Sequence, residues 1–148
     1  ATADAFFTIF ETVIGMTADV GTFPRLVQQI PEGLVRELAY TGRRMGAAEA
    51  KSAGLVNQVF DTQEAMLEGV FAIANEIATK APLAVYGCKR MLHYSHDHTT
   101  ADTLDYIAIW NASMLQAQEM QEAMQANMEK RPGDIVEVPK RAPNFSFR

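Results

Sequence analysis

The chain has 148 residues, 13 basic and 18 acidic, for a net charge of −5. That length suits one domain with a core rather than two full domains. Hydrophobic residues at 48% and charged residues at 21% exclude an intrinsically disordered chain. No apolar run reaches about 18 residues, so no transmembrane helix is expected. The acidic balance argues against a nucleic-acid partner. One cysteine, Cys88, excludes an internal disulfide framework and fits a reducing compartment. The opening Ala1-Thr2-Ala3-Asp4 carries no basic stretch of a secretory signal. No initiator Met precedes it, and a strand-like run follows at once, so the chain is expected to be a piece of something longer.

Residues 5–10, Ala-Phe-Phe-Thr-Ile-Phe, are aromatic and β-branched and predict a strand buried on both faces. Glu11 stands at its end. Residues 12–22 contain Gly15 and Gly21 among small polar side chains and predict an irregular loop. Phe23 to Ile30 predicts a short helix, with Pro24 tolerated in the first turn. Pro31 opens a second helix whose Leu34, Val35, Leu38 and Ala39 share a face, and Gly42 closes it. Ala47 to Ala53 predicts a third, ended by Gly54. Leu55 to Phe60 predicts a second strand. Asp61 or Thr62 then caps a long helix with Leu67, Val70, Phe71, Ala74, Ile77 and Ala78 on one stripe. Pro82 starts another helix to about Tyr94, and His93 to His98 makes a polar break. Thr99-x-x-Asp102 fits a capping box before Leu104, Ile107, Ala108 and Leu115. That helical stretch continues, with or without a break near Asn111, to about Met128. Arg131-Pro132-Gly133 stops it, and the tail from Asp134 to Arg148 is expected to be extended.

Two strands separated by roughly 45 residues do not make a sheet that stands alone, since about three are usually needed. Strand partners are therefore expected from a preceding segment or another chain.

Glu11 and Asp19 are the leading candidates for chemistry. Glu11 ends an apolar strand, and Asp19 lies in a glycine-containing loop before a helix. A fold-back of the loop would turn both toward one apolar cavity, where burial disfavours the charged carboxylate and suits proton transfer. The alternative is structural, with Asp19 as a helix N-cap and Glu11 as a solvated strand end. His93, His96 and His98 resemble a metal cluster but lack the spacing of known zinc motifs. Histidine near a helix C-terminus, within a polar turn, explains them without a metal. Met120, Met124 and Met128 recur at every fourth residue, with Met114 one and a half turns earlier, as an acyl-chain lining, a core or an oligomer contact. Arg43-Arg44 and Lys89-Arg90 read as solvated surface pairs, and Cys88 as inert packing. No glycine-rich phosphate loop, Cys-x-x-Cys or serine nucleophile elbow occurs.

One string is specific. Glu11-x-x-x-Gly15, Gly21-Thr22-Phe23-Pro24-Arg25-Leu26, Glu37-Leu38-Ala39-Tyr40-Thr41-Gly42-Arg43-Arg44-Met45, Ala48-Glu49-Ala50 and Gly54-Leu55-Val56-Asn57-Gln58-Val59-Phe60 follow in order. Together they resemble the crotonase (enoyl-CoA hydratase/isomerase) superfamily. Hydratases of that superfamily carry glycine at the position of Asp19. A glutamate followed eight residues later by an aspartate resembles its Δ3,5-Δ2,4-dienoyl-CoA isomerase branch. Ala5-Phe6-Phe7, Ala18-Asp19-Val20-Gly21-Thr22, Ser95-His96-Asp97-His98 and Trp110-Asn111-x-Ser113-Met114-Leu115 resemble that branch too.

The resemblance implies an α/β, crotonase-like fold, the ββα spiral core with a C-terminal helical region, whose N-terminal part lies outside this sequence. It implies residues 1–80 as the end of the spiral core, 81–130 as a helical region for trimerisation and active-site covering, and 131–148 as a tail. It implies an acyl-CoA thioester substrate, no cofactor and no metal, with Asp19 as base and Glu11 as acid. Oxyanion-hole and most CoA-binding residues would precede this chain. A homo-oligomer, a trimer or a dimer of trimers, is implied as well. Trp110, Leu115 and the Met stripe point the same way, being more apolar surface than the predicted elements cover. The implied location is cytoplasmic in a bacterium, and the mitochondrial or peroxisomal matrix in a eukaryote. Two alternatives are a hydratase of the same superfamily and a non-catalytic helical assembly module.

Overall fold

The computed structural model describes residues 1–131, 133 and 134. The chain divides into two compact units, Ala1–Ala72 and the residues from Ile73 onward. In chain order the elements are β1 (Phe6–Phe7), a 3-10 turn (Glu11–Ile14), α1 (Thr22–Leu26), α2 (Glu32–Thr41), β2 (Met45–Gly46), α3 (Ala47–Ala53), α4 (Gln63–Ala78), α5 (Pro82–Tyr94), α6 (Thr100–Met114) and α7 (Ala117–Glu129).

The helices follow local signals. Pro31 sits at the N-cap of α2, and Gly42 ends it in the left-handed conformation at φ 62°. Gly54 ends α3 in the same way at φ 88°. Both are positions where a Cβ is costly and glycine is not. Thr99 and Asp102 form the capping box of α6, each side chain accepting from the other's backbone N–H. Thr62 Oγ1 accepts from the Ala65 N–H at the start of α4.

The strands depart from expectation. Only Phe6 and Phe7 of residues 5–10 are paired, antiparallel to Gly46 and Met45. Phe6 is exposed rather than buried on both faces, and only Ile9 of that run is buried. Residues 55–60 form no named strand; their one ladder contact is a parallel bridge from Phe60 to Thr2. A strand exists only where a second chain segment completes its ladder, and the described residues supply few such partners. The short β2 was not expected, nor was the 3-10 turn inside the loop.

The first unit has a definite core. Ile9, Ala18, Ile30, Val35, Leu38, Ala39, Met45 and Ala50 are buried together, with Phe7, Phe23, Leu26 and Leu34 packed against them. Leu38 is only 2% exposed, and burial of such a side chain contributes about 1.5–3 kcal/mol. Val35, Leu38 and Ala39 of the predicted α2 face are all within this core.

In the second unit α5 packs on α6 through aromatic rings. Gly87 is buried, and a Cβ there would meet Trp110 Nε1 at 2.6 Å. Tyr86 and Tyr106 flank the same indole at centroid distances of 5.8 and 6.4 Å. α6 stops at Met114 and α7 starts at Ala117, so the long helical stretch breaks at Leu115 and Gln116. The predicted tail lies outside the described residues apart from Gly133 and Asp134. Large apolar side chains stay exposed, among them Phe71 at 62% and Met128 at 76%. The α4 stripe and the Met stripe are therefore not core among the described residues. Cys88 is exposed rather than packed.

Candidate active site

Glu11 opens the 3-10 turn and is half-buried. Gly15 closes that turn at φ 77°, its N–H donating to the carbonyls of Glu11 and Thr12. The Met16 N–H also reaches the Glu11 carbonyl, at 2.9 Å. Two of the amides that follow Glu11 thus bond back to it, which fixes the backbone from which its carboxylate projects.

Asp19 follows the buried Ala18 and is itself exposed. Its carbonyl accepts from the Thr22 N–H at 3.0 Å and from Thr22 Oγ1 at 3.1 Å. Asp19 is not the N-cap of α1; that position belongs to Gly21, at φ 87°. Val20 between them has φ 43° and is 84% exposed. A β-branched residue in the left-handed region is an outlier costing about 1–3 kcal/mol. The Asp19 loop is thus tucked into the core at one end and strained at the other.

Both carboxylates lie on the one irregular segment between Phe10 and Thr22, on two successive turns. The cavity nearest in sequence, about 410 Å³, is lined by Thr12, Thr17, Phe23, Val35, Ala39 and Tyr40 among others. Thr12, beside Glu11, is part of its lining, and Glu11 and Asp19 are not.

His98 has structural partners. His98 Nδ1 lies 2.9 Å from the Tyr94 carbonyl and 2.6 Å from Asp97 Oδ1. Both are acceptors, so that nitrogen carries a proton. The ring stacks on Tyr94 at 3.6 Å. The Tyr94 carbonyl, followed by Asp97, raises the His98 pKa above its ordinary value. Among the described residues, no group of three or more His, Cys, Asp or Glu is placed to hold a metal.

The Arg43-Arg44 pair is more than solvated surface. Arg43 bonds Glu49 through two nitrogens at 3.0 and 2.6 Å, and Glu37 through Nε at 2.6 Å. The guanidinium holds the Glu49 carboxyl below its ordinary range. This clasp ties the end of α2 to α3, and spacing alone did not reveal it because its partners lie on two elements. Arg44 lies over the Phe6 ring at 4.1 Å.

With this geometry in place, comparison with known proteins decides the family. The enoyl-CoA hydratase/isomerase family matches residues 1–136. The chain belongs to that family. It is 50% identical over 131 residues to the mitochondrial Δ(3,5)-Δ(2,4)-dienoyl-CoA isomerase of Mus musculus, covering 88% of this chain and 40% of that protein. It is 42% identical over 128 residues to the peroxisomal Δ(3,5)-Δ(2,4)-dienoyl-CoA isomerase of Arabidopsis thaliana, covering 86% and 46%. The crystal structure of an enoyl-CoA hydratase from Mycobacterium tuberculosis H37Rv superposes with a TM-score of 0.85 at 28% identity, over 93% of this chain and 54% of that one. The crotonase-like fold is therefore established, and this family member spans about two fifths of the length of the mouse protein. No helix among the described residues is long and apolar enough to cross a membrane.

Proposed function

We propose that this chain belongs to an acyl-CoA isomerase that converts 3,5-dienoyl-CoA to 2,4-dienoyl-CoA in fatty-acid β-oxidation. The observation that carries the reading is the 50% identity across 88% of the chain to a protein of that name. Glu11 and Asp19 on neighbouring turns of one segment support it.

The chemistry follows from the substrate. The thioester acidifies the protons at C2. Asp19 removes one, leaving a conjugated trienolate whose negative charge lies on the thioester oxygen. Backbone N–H groups stabilise such an oxyanion most when they are already aimed at it. In this reading they come from the part of the protein that precedes this chain, as does most of the CoA site. Glu11 then delivers a proton to C6. One proton leaves C2 and one arrives at C6, and the double bonds shift to 2,4. The net change is neither oxidation nor hydration, so the reaction calls for no redox cofactor and no metal. Asp19 is exposed and Glu11 half-buried here. The apolar enclosure for proton transfer is completed, in this reading, by the rest of the protein and the acyl chain itself.

The exposed Met120, Met124 and Met128 on α7 fit self-association of the whole protein, as a trimer or a pair of trimers. A mitochondrial or peroxisomal matrix location fits a eukaryotic source, and the cytoplasm a bacterial one.

The test is turnover of 3,5-dienoyl-CoA by the full-length protein, followed by the ultraviolet absorbance of the conjugated product. Asp19→Asn should lower kcat by about 10²–10⁴-fold, the range for loss of a general base. Turnover unchanged in Asp19→Asn would overturn the assignment. A second reading, a hydratase, draws on the close superposition with the M. tuberculosis enzyme. It requires water addition to a 2-enoyl-CoA to outrun isomerisation in the same preparation.

A further inference from the structure

We propose that Thr12 is a positioning residue for Glu11, holding the 3-10 turn against the C-terminus of α2. The inference rests on the isomerase reading for the role of Glu11, and on hydrogen bonds of this unit for everything else.

A four-residue 3-10 turn has few bonds of its own. Val13 N–H reaches the Phe10 carbonyl at 3.0 Å, and Gly15 N–H reaches the Thr12 carbonyl at 3.2 Å. So short an element does not hold its geometry unaided. Its rigidity is borrowed from α2. Thr12 Oγ1 donates to the Ala39 carbonyl at 2.7 Å, and Thr8 Oγ1 donates to the Gly42 carbonyl at 3.0 Å. The Val13 side chain closes over Gly42, where no Cβ stands in its way.

The acceptor explains why a hydroxyl is needed. The last carbonyls of a helix have no partner in the helix itself. In α2 the Gly42 N–H takes the Leu38 carbonyl at 2.9 Å, and Thr41 Oγ1 takes that of Glu37 at 2.7 Å. The Arg43 N–H, the next donor in line, turns instead to Thr41 Oγ1 at 3.2 Å. Ala39 is buried and its carbonyl is left for Thr12. The same helix end is tied to α3 by the Arg43–Glu49 clasp. Thr12 therefore fastens the residue beside Glu11 to a fixed point, using one hydroxyl. A carboxylate that must deliver a proton to one carbon depends on such placement, because misplacement of about 1 Å can cost 10²-fold in rate.

Thr12→Val keeps the shape and removes the donor; Thr12→Ser keeps the donor. In the full-length protein, Thr12→Val should speed amide exchange across residues 10–16 about tenfold. It should lower kcat on 3,5-dienoyl-CoA about tenfold with KM within twofold. Thr12→Ser should stay within twofold of the parent in both. Thr8→Val, at an exposed position, should shift both readouts the same way by about threefold, which covers a Thr12→Val protein that does not fold. Parent-like exchange in Thr12→Val, or faster exchange with unchanged kcat, overturns the proposal. So does a Thr12→Ser variant as slow as Thr12→Val. Failure of the isomerase reading looks different, since the parent protein itself then turns over no 3,5-dienoyl-CoA. Exchange would then still show whether Thr12 holds the turn, while its role in positioning Glu11 for this reaction would be refuted.

Discussion

Replacing Gly42 by alanine tests the packing beneath the candidate site with two separable costs. Gly42 and Gly54 are both helix C-caps in the left-handed region, at φ 62° and 88°. An alanine in that region costs about 1–2 kcal/mol. At Gly54 the added Cβ finds only the Gln29 carbonyl oxygen, at 3.7 Å, an ordinary contact. Gly54→Ala should therefore cost the conformational penalty alone. At Gly42 the Cβ runs into Val13 Cγ2. Val13 is stiff at χ1, yet it is 56% exposed and so free to turn outward. Pushing it off its rotamer costs about 0.5–1.5 kcal/mol more. Gly42→Ala should thus destabilise the full-length protein by about 1.5–3.5 kcal/mol in urea unfolding followed by circular dichroism. Gly54→Ala should cost about 1–2 kcal/mol on the same assay. Adding Val13→Ala to Gly42→Ala should recover most of the difference, because the two sites couple through that one contact. Equal losses for Gly42→Ala and Gly54→Ala, or no recovery in the double variant, would refute the packing of the 3-10 turn on α2.

Two further outcomes follow from the second unit. Arg131, followed by the Asp134 N–H, lowers the Glu122 carboxyl to about 2. A depressed carboxyl stabilises the fold above its ordinary value and loses that contribution as pH falls toward the folded value. The contribution should therefore fade between about pH 4.5 and 2. Arg131→Met should move the Glu122 midpoint back up in a carboxyl NMR titration; an unmoved midpoint would refute the pairing. Replacing Met120 and Met124 together by glutamate should lower the assembled mass in light scattering, because both are exposed on α7. The parent mass retained in that variant would count against self-association through this face.

The helices were legible because their signals are local. Pro31, Gly42, Gly54, Pro82 and the Thr99–Asp102 box act within one or two turns, and the observed bounds follow them. The strands were not, because residues 5–10 and 55–60 carry strand composition but depend on distant partners for their ladders. The candidate site was legible in part. Glu11 and Asp19 stand out as acidic residues in an apolar, glycine-bearing stretch. That Thr12 bonds the Ala39 carbonyl was not readable, since nothing near Thr12 in sequence names a partner 27 residues away.

The sequence by itself determined the family, the helix limits and the two acidic residues on which the proposed chemistry turns, because each is written in a contiguous run. Only the tertiary structure decided which carbonyl a hydroxyl meets, that Gly42 makes room for Val13, and that neither carboxylate enters the cavity beside it. Those are distances between segments far apart in the chain, and they are set by how α2 packs rather than by any residue's own preference.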